Sequence, residues 1–166
     1  MCKIELYNKF LTAFEQTTQI TISFKKNIKL NRKERVFTEN YRNNIFLIAI
    51  YRVAGTLVKG MMTSELEAKY KLVLKSALDA GCTVLENEGN SFDAEEKVGI
   101  ILEDSHLFNA GKGVVFTVDE TNKMEAYVLD SKSLKVGEVS LTSRIKNSVS
   151  LSKHMMEESE HVFLAR

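Results

Sequence analysis

The chain has 166 residues, 44% hydrophobic and 27% charged, which is typical of one globular domain or a piece of one. An apolar run approaching ~18 residues and an apolar N-terminal stretch are both lacking, which argues against a transmembrane helix and a secretory signal. Two cysteines, Cys2 and Cys82, are too few for a disulfide scaffold, so we expect a reducing, cytoplasmic location. Proline is absent, although average usage predicts about eight, so the loops lack the rigidity that proline gives.

Charge is divided unevenly along the chain. Residues 1–44 carry nine Lys/Arg and four Glu, a net charge of +5, whereas residues 45–166 have a net charge of −4. Six of the basic residues cluster closely: Lys25, Lys26, Lys29, Arg32, Lys33 and Arg35. Such a cluster can contact phosphates, but aromatic residues flank it instead of interleaving with it as a base-stacking surface requires. We therefore predict a solvated, poorly ordered basic leader over 1–44, with no nucleic-acid or membrane partner.

The folded part is predicted to begin after Asn43–Asn44. Residues 45–50 (IFLIAI) form a continuous apolar run, which predicts a strand buried on both faces. Ser64 and Glu67 have the spacing of a capping box at the start of the clearest helix, which Gly89 is placed to end. The apolar residues of this helix recur with helical period: Leu66, Tyr70, Val73, Leu74, Ala77, Val84 and Leu85.

The second half predicts two helices and three strands. Ser91 is placed to cap a helix running to about Asp104, and Asn147 or Ser148 to cap a last helix over 149–158. Three short, apolar, β-branched segments predict strands: 113–118, 124–129 and 136–141. This order of elements predicts a layered α/β arrangement with a partly antiparallel sheet.

Individual motifs assemble no catalytic site. Gly111-Lys112-Gly113 lacks both the preceding spacing and the following Ser or Thr of a phosphate-binding loop. The three histidines have no zinc-site spacing: His106, His154 and His161. The acidic residues early in the second helix fit the charge preference of a helix N-terminus: Asp93, Glu95 and Glu96.

A longer stretch carries a family resemblance. Residues 102–113, LEDSHLFNAGKG, resemble the LEDSPLFNAGKG segment of plant-type L-asparaginases and isoaspartyl peptidases. Shorter matches continue at near-constant spacing on both sides: 77–81, 84–87, 116–117, 119–121, 129–130, 143–145, 147, 156–157 and 161–162. The resemblance covers residues 45–166, and many weak matches in one order are more specific than any single motif.

This resemblance implies an α/β (α+β) fold that is part of an αββα sandwich, the architecture of N-terminal-nucleophile hydrolases. Family precursors cleave themselves, and the new N-terminal threonine attacks asparagine or a β-aspartyl peptide with its own α-amine as the base. In the family that threonine lies beyond the segment that resembles 161–166, so the resemblance implies an α-subunit portion with no catalytic nucleophile. We expect the chain to be inactive alone, to pair with a β-subunit-like chain or with copies of itself, and to take a small-molecule substrate only when completed.

Two features of the 102–112 loop are carried over from the family. Its backbone carbonyls would hold a structural sodium ion, the one cofactor that we expect; the matching positions are Leu102, Glu103, Ser105, Phe108, Ala110 and Lys112. Asn109 either points toward the nucleophile, as in the family, or caps its own turn. His106 stands where the family has proline, and Glu95 where it has an apolar core residue.

The loop that borders the family's active site is altered. The family has His-Gly-Gly before Ala-Gly, whereas here Tyr51, Arg52 and Val53 precede Ala54 and Gly55. Glycine permits positive φ and close backbone approach, which Arg and Val do not. Two hypotheses therefore stay open: an enzyme fragment that a β-part completes, and a non-catalytic truncated paralogue that acts as a protein-interaction module.

Overall fold

The computed structural model describes residues 36–37, 48, 50–51, 63–130 and 133–165. These residues form three α-helices and five strands, together with a short 3₁₀ turn at Gly111–Gly113. The elements in chain order are β1 (Val36–Phe37), β2 (Ile50–Tyr51), α1 (Ser64–Glu86), α2 (Ser91–Glu103), β3 (Met124–Leu129), β4 (Val136–Thr142), α3 (Ser148–Glu158) and β5 (Phe163–Ala165). Most of the predicted leader, 1–44, lies outside the described residues.

Helix α1 confirms the predicted stripe but begins one residue away from the predicted cap. Thr63 is the N-cap, and its hydroxyl accepts from the Leu66 N–H at 3.2 Å, so Ser64 is the first helical residue. The apolar stripe packs inward, with Leu74 and Ala77 fully buried. The helix ends at Glu86, because Glu88 adopts a left-handed conformation (φ +63°) and turns the chain.

The main hydrophobic core lies between α1, α2 and the segment around β2. Ile48 and Ile50, both inside the predicted 45–50 strand, are buried there against α1 and α2. Gly81 on α1 permits this close packing, since a Cβ in its place would lie 2.8 Å from the Val98 side chain of α2. Helix α2 is capped by Asn90, whose Oδ1 accepts from the Asp93 N–H at 2.8 Å, and not by Ser91 as predicted.

The larger sheet has the order β3-β4-β5, antiparallel between β3 and β4 and parallel between β4 and β5. This confirms the predicted partly antiparallel sheet and the strands at 124–129 and 136–141. The strand predicted at 113–118 is wrong. Gly113 ends the 3₁₀ turn, and residues 117–121 close a tight turn through the Thr117 N–H and the Thr121 carbonyl, leaving only a single bridge between Phe116 and Asn122.

Helix α3 covers one face of this sheet. Gly137 of β4 makes the contact possible, because a Cβ there would overlap the Ser152 carbonyl oxygen and lie 2.6 Å from the Met156 nitrogen. Lys153 joins α3 to α2: its ammonium binds Asp93 and, at 2.8 Å, Glu96. Although burial of Lys153 opposes its charge, the two carboxylates outweigh that effect and raise its pKa.

The arrangement is mixed α/β and consistent with part of an αββα sandwich, with helices on one side of a sheet. The other side of β3-β4-β5 carries exposed side chains, including Tyr127 and Phe163. Within the described ranges, each helix is too short or too polar to cross a bilayer.

Candidate functional site

The loop that follows α2 is the part of the fold that carries most of the predicted site residues. It leaves α2 at Glu103 and is anchored by Phe108, a buried residue whose ring meets Tyr70 of α1 edge to face at 5.5 Å between centroids. Ser105 supports the first bend, since its hydroxyl accepts from the Leu107 N–H at 3.3 Å. The loop is therefore held against α1 by an aromatic contact and not by solvent-exposed polar bonds alone.

Two glycines let the loop fold back on its own backbone. Gly111 has φ +54°, the left-handed region that favours glycine, and a Cβ there would overlap the Glu103 carbonyl oxygen. At Gly113 a Cβ would overlap the Phe108 carbonyl oxygen and approach the His106 carbonyl oxygen to 2.8 Å. The Gly-Lys-Gly sequence thus brings backbone carbonyls into the centre of the loop.

The carbonyls predicted as cation ligands already form hydrogen bonds within this loop. The Leu102, Phe108 and Ala110 oxygens accept from the N–H groups of Ser105 (3.1 Å), Ala110 (2.8 Å) and Gly113 (3.1 Å). A carbonyl oxygen has two lone pairs, so each of the three keeps an acceptor site that a hard cation can use. A small oxygen-ligated cation at these carbonyls stays a prediction. No cluster of three or more His, Cys, Asp or Glu side chains suited to a metal occurs among the described residues.

Asn109 fastens the far end of the loop. Its Oδ1 accepts from the Val115 N–H at 2.9 Å, a bond that spans the Gly-Lys-Gly turn. This contact stabilises the loop, which agrees with the prediction that Asn109 caps its own turn. The alternative, that Asn109 points toward the nucleophile, stays a prediction. The other predicted loop residues, Arg52, Val53, Ala54 and Gly55, lie outside the described residues.

Glu103 is the site feature whose side-chain role the sequence did not predict. Its side chain is buried, with 5% of the residue exposed, and Oε1 accepts from the Val149 N–H at 3.1 Å in the first turn of α3. Of the two predicted caps of α3, Asn147 is the N-cap and Ser148 is the first helical residue. Asn147 makes no side-chain capping bond, so Glu103 of α2 satisfies that helix end instead.

Burial raises the pKa of Glu103. The side chain of Asn147 and the N–H groups of Val149 and Ser148 oppose this effect without overcoming it. Glu103 Oε2 and Asn147 Nδ2 are both buried, and neither has a partner at hydrogen-bonding geometry within the described structure. A carboxyl group with one unsatisfied oxygen therefore lies directly behind the loop.

Further polar contacts join the start of α3 to the end of β4, and the segment before α3 to the end of α2. Thr142 and Ser148 share a buried hydroxyl–hydroxyl bond of 3.0 Å. On the outside, Lys146 binds Asp104 at 2.9 Å, and this contact lowers the pKa of Asp104. Together with Glu103 these bonds fix the loop's starting point relative to the sheet.

Comparison with known proteins places these features in a family. The family model described as Asparaginase matches residues 44–166, about three quarters of the chain and all of the site just described. The chain belongs to this family. The matched range begins at the second residue of the Asn43–Asn44 pair where the sequence changes character.

Several curated relatives agree. The isoaspartyl peptidase of Escherichia coli (strain K12) is 36% identical over 118 residues, 71% of this chain and 37% of the relative. The Xenopus laevis isoaspartyl peptidase/L-asparaginase is 36% identical over 118 residues, again 71% and 37%. The plant-type L-asparaginase of Pyrococcus abyssi (strain GE5 / Orsay) is 34% identical over 117 residues, 70% and 37%. The chain thus spans little more than a third of the length of these relatives.

Proposed function

We propose that this chain is the α-subunit-like part of a hydrolase acting on L-asparagine and β-aspartyl peptides, inactive until a β-subunit-like chain supplies the nucleophile. The observation that carries the proposal is the family match over 44–166 together with the loop at 102–113, whose glycines are fixed by backbone contacts. The substrate classes follow from the names of the relatives, isoaspartyl peptidase and L-asparaginase. We expect a cytoplasmic, reducing location, which suits a chain whose described cysteine, Cys82, is buried.

In this proposal the chain contributes position and no reacting group. The partner's N-terminal threonine attacks the amide carbon, and its α-amine takes the hydroxyl proton and passes it to the leaving amine. Water then hydrolyses the resulting ester, which releases the acid product and restores the threonine. The loop after α2 would set the wall next to that nucleophile, with Asn109 at its tip. The contacts of Phe108 and Glu103 would hold this wall in place. Such support matters because a misplacement near 1 Å costs about a hundredfold in rate.

The loop's carbonyls are proposed to hold a structural sodium ion that stiffens this wall. Thermal unfolding in sodium chloride, compared with tetramethylammonium chloride at equal ionic strength, tests this. We expect a higher midpoint in sodium and no difference for Gly111→Ala, whose Cβ would overlap the Glu103 carbonyl. Equal midpoints for the unsubstituted chain would reject the ion.

Complementation tests the hydrolase proposal. The chain is co-expressed with the segment of the Escherichia coli relative that lies outside the match, and ammonia release from asparagine and aspartate release from a β-aspartyl dipeptide are measured. We expect turnover from the purified pair and none from either part alone. Gly111→Ala should reduce turnover, whereas Lys112→Ala should not, because the Lys112 side chain is exposed and only its carbonyl is invoked. Turnover by the chain alone would contradict the predicted inactivity.

A second candidate is a non-catalytic interaction module. It is favoured by Arg52 and Val53 in place of the family's glycines, and by exposed apolar side chains at Phe116 and Val118. A purified pair that assembles at one-to-one stoichiometry but shows no turnover would support this module over the hydrolase.

A further inference from the structure

Strand β1 lies outside the family match but pairs with a strand inside it. Val36 and Phe37 form β1, whereas the match begins at residue 44. Its partner is β2, and the two strands run antiparallel, with Val36 opposite Tyr51 and Phe37 opposite Ile50. The leader is therefore joined by its backbone to the first strand of the matched range.

Strand β2 borders the main hydrophobic core. Ile48 and Ile50 have the spacing of residues on one face of a strand, and both are buried against α1 and α2. Buried backbone N–H and C=O groups are nearly always paired, so a strand in this place needs a neighbour. Within the part of the chain that the structure describes, that neighbour is β1 alone.

Strand β1 is a small neighbour for such a position. The apolar run 45–50 has six residues and predicts a strand buried on both faces, yet β1 has two residues. Strands usually have about five or six residues, and an isolated two-stranded sheet is marginally stable at best. A longer strand from another chain would form more hydrogen bonds with this run than β1 forms.

The β-subunit-like chain proposed above is the source of such a strand. Because β1 lies outside the range that the family shares, the shared fold has to pair the position of β2 with a different strand. Among the described residues, β2 belongs to a sheet separate from β3-β4-β5. A chain that completes the predicted sandwich would therefore add its strand at the edge of β2.

We propose that β1 is a surrogate strand, which occupies the edge of β2 where a strand of the β-subunit-like chain pairs, and which leaves when the two chains assemble. The exchange takes place next to the altered loop, because residues 52–55 directly follow β2. The leader thereby keeps the edge of β2 covered until the partner binds. This inference rests on the proposed pairing of the two chains but not on hydrolysis.

The short connection between the two strands makes β1 an effective competitor. Only twelve residues, 38–49, join β1 to β2, and a tether of this length gives an effective concentration on the order of millimolar. The apparent affinity for a partner strand is reduced by the fraction of chains in which the edge is free. Weaker pairing of β1 should consequently give tighter binding of the partner.

A variant with two prolines in β1 tests this competition. One of two successive residues always directs its N–H at the neighbouring strand, so Val36→Pro with Phe37→Pro removes that donor. Binding is measured by calorimetry with the segment of the Escherichia coli relative that lies outside the match. We expect the dissociation constant to fall about tenfold, which corresponds to ~1.4 kcal/mol, the scale of one or two hydrogen bonds. Ile22→Pro with Ser23→Pro, in the leader but outside β1, is the matched control and should leave the constant unchanged.

Hydrogen exchange of the unsubstituted chain shows whether β1 leaves, and it needs no substitution that could unfold the protein. When the partner segment saturates the chain, the amides of residues 36–37 should lose protection while those of residues 50–51 keep it. Protection retained in both strands would overturn the proposal, as would a dissociation constant that is equal or larger in the β1 proline variant.

The outcomes for the surrogate strand and for the hydrolase are separable. Turnover by a pair whose affinity the β1 prolines do not change would refute the surrogate strand and leave the hydrolase standing. Tighter binding by the proline variant together with loss of β1 protection, but without turnover, would support the surrogate strand and reject the hydrolase. If no variant bound the partner segment, the surrogate strand would be refuted together with the pairing on which it rests.

Discussion

Glu88 carries the backbone strain at the end of α1. It is a non-glycine residue at φ +63°. Its N–H donates to the Leu85 carbonyl (3.2 Å), and the Gly89 N–H donates to the Val84 carbonyl (2.9 Å); these two bonds close the helix end. Sequence reading predicts that Gly89 ends the helix, but the left-handed position falls one residue earlier. Left-handed conformation costs a non-glycine residue about 1 kcal/mol or more.

Replacing this residue should therefore stabilise the protein. We expect Glu88→Gly to raise the free energy of unfolding by about 1 kcal/mol, measured by urea denaturation. Gly89→Ala is the matched control and should lower the free energy of unfolding, since its Cβ would lie 2.5 Å from the Val84 side chain. A loss of stability for Glu88→Gly would contradict the assigned helix end.

Glu95 makes stability depend on pH. Burial raises its pKa from 4.5 to about 7, so the folded state holds a proton that the unfolded state releases in this range. Stability should fall as pH rises from 4.5 to about 7, by about 3 kcal/mol in total. Glu95→Gln should flatten this decline, measured as the free energy of unfolding at pH 5 and pH 8. The substitution Glu157→Gln, at an exposed position, should leave the decline as it is in the unsubstituted chain. An unchanged decline in Glu95→Gln would show that Glu95 is not its source.

Among the elements, the junction between α2 and α3 contains one buried carboxylate, Glu103. Glu103 satisfies the Val149 N–H across the two helices, but its buried Oε2 has no hydrogen-bond partner among the described residues. Glu103→Gln keeps an acceptor for Val149 and removes the buried charge, so we expect equal or greater stability at pH 8. Glu103→Ala should cost about 2–3 kcal/mol, because it leaves a cavity and an unsatisfied N–H.

Thr63→Ala provides the scale for this effect. Thr63 caps α1 in an exposed position, so its loss should cost only about 1 kcal/mol. All three variants are compared by urea denaturation. If Glu103→Gln were as damaging as Glu103→Ala, the negative charge itself would be required, as it would be beside a bound cation.

These elements show which parts of the fold the sequence can predict. Periodicity predicts α1 because its core-facing residues are encoded by local spacing. The predicted caps, Ser64 and Ser91, each lie one residue after the observed caps, Thr63 and Asn90. In each case two neighbouring side chains are able to cap the helix. The apolar 113–118 segment reads as a strand, but strand formation needs a partner that periodicity does not supply. Two further contacts join residues that are remote in sequence, so local patterns do not predict them. Strand β5 pairs in parallel with β4, and Glu103 of α2 bonds to α3.

At the scale of the whole molecule, three exposed apolar side chains follow one another closely in the segment between the loop and β3. Phe116 is 71% exposed and Val118 102%, and Val115 between the loop and the turn is 53% exposed. Adjacent apolar side chains of this kind mark a surface that associates. The apolar turn at 115–118 is therefore the surface at which we expect association.

Self-association should follow from that surface in the isolated chain. We expect light scattering coupled to size-exclusion chromatography to show species larger than a monomer, increasing with concentration. Phe116→Ser with Val118→Ser should shift the distribution toward monomer, because burial of these side chains drives association. Leu72→Ser is the matched control: Leu72 is 72% exposed but belongs to α1 and not to the turn, so its replacement should change nothing. A monodisperse monomer before substitution, or equal shifts for both variants, would contradict the role of this surface.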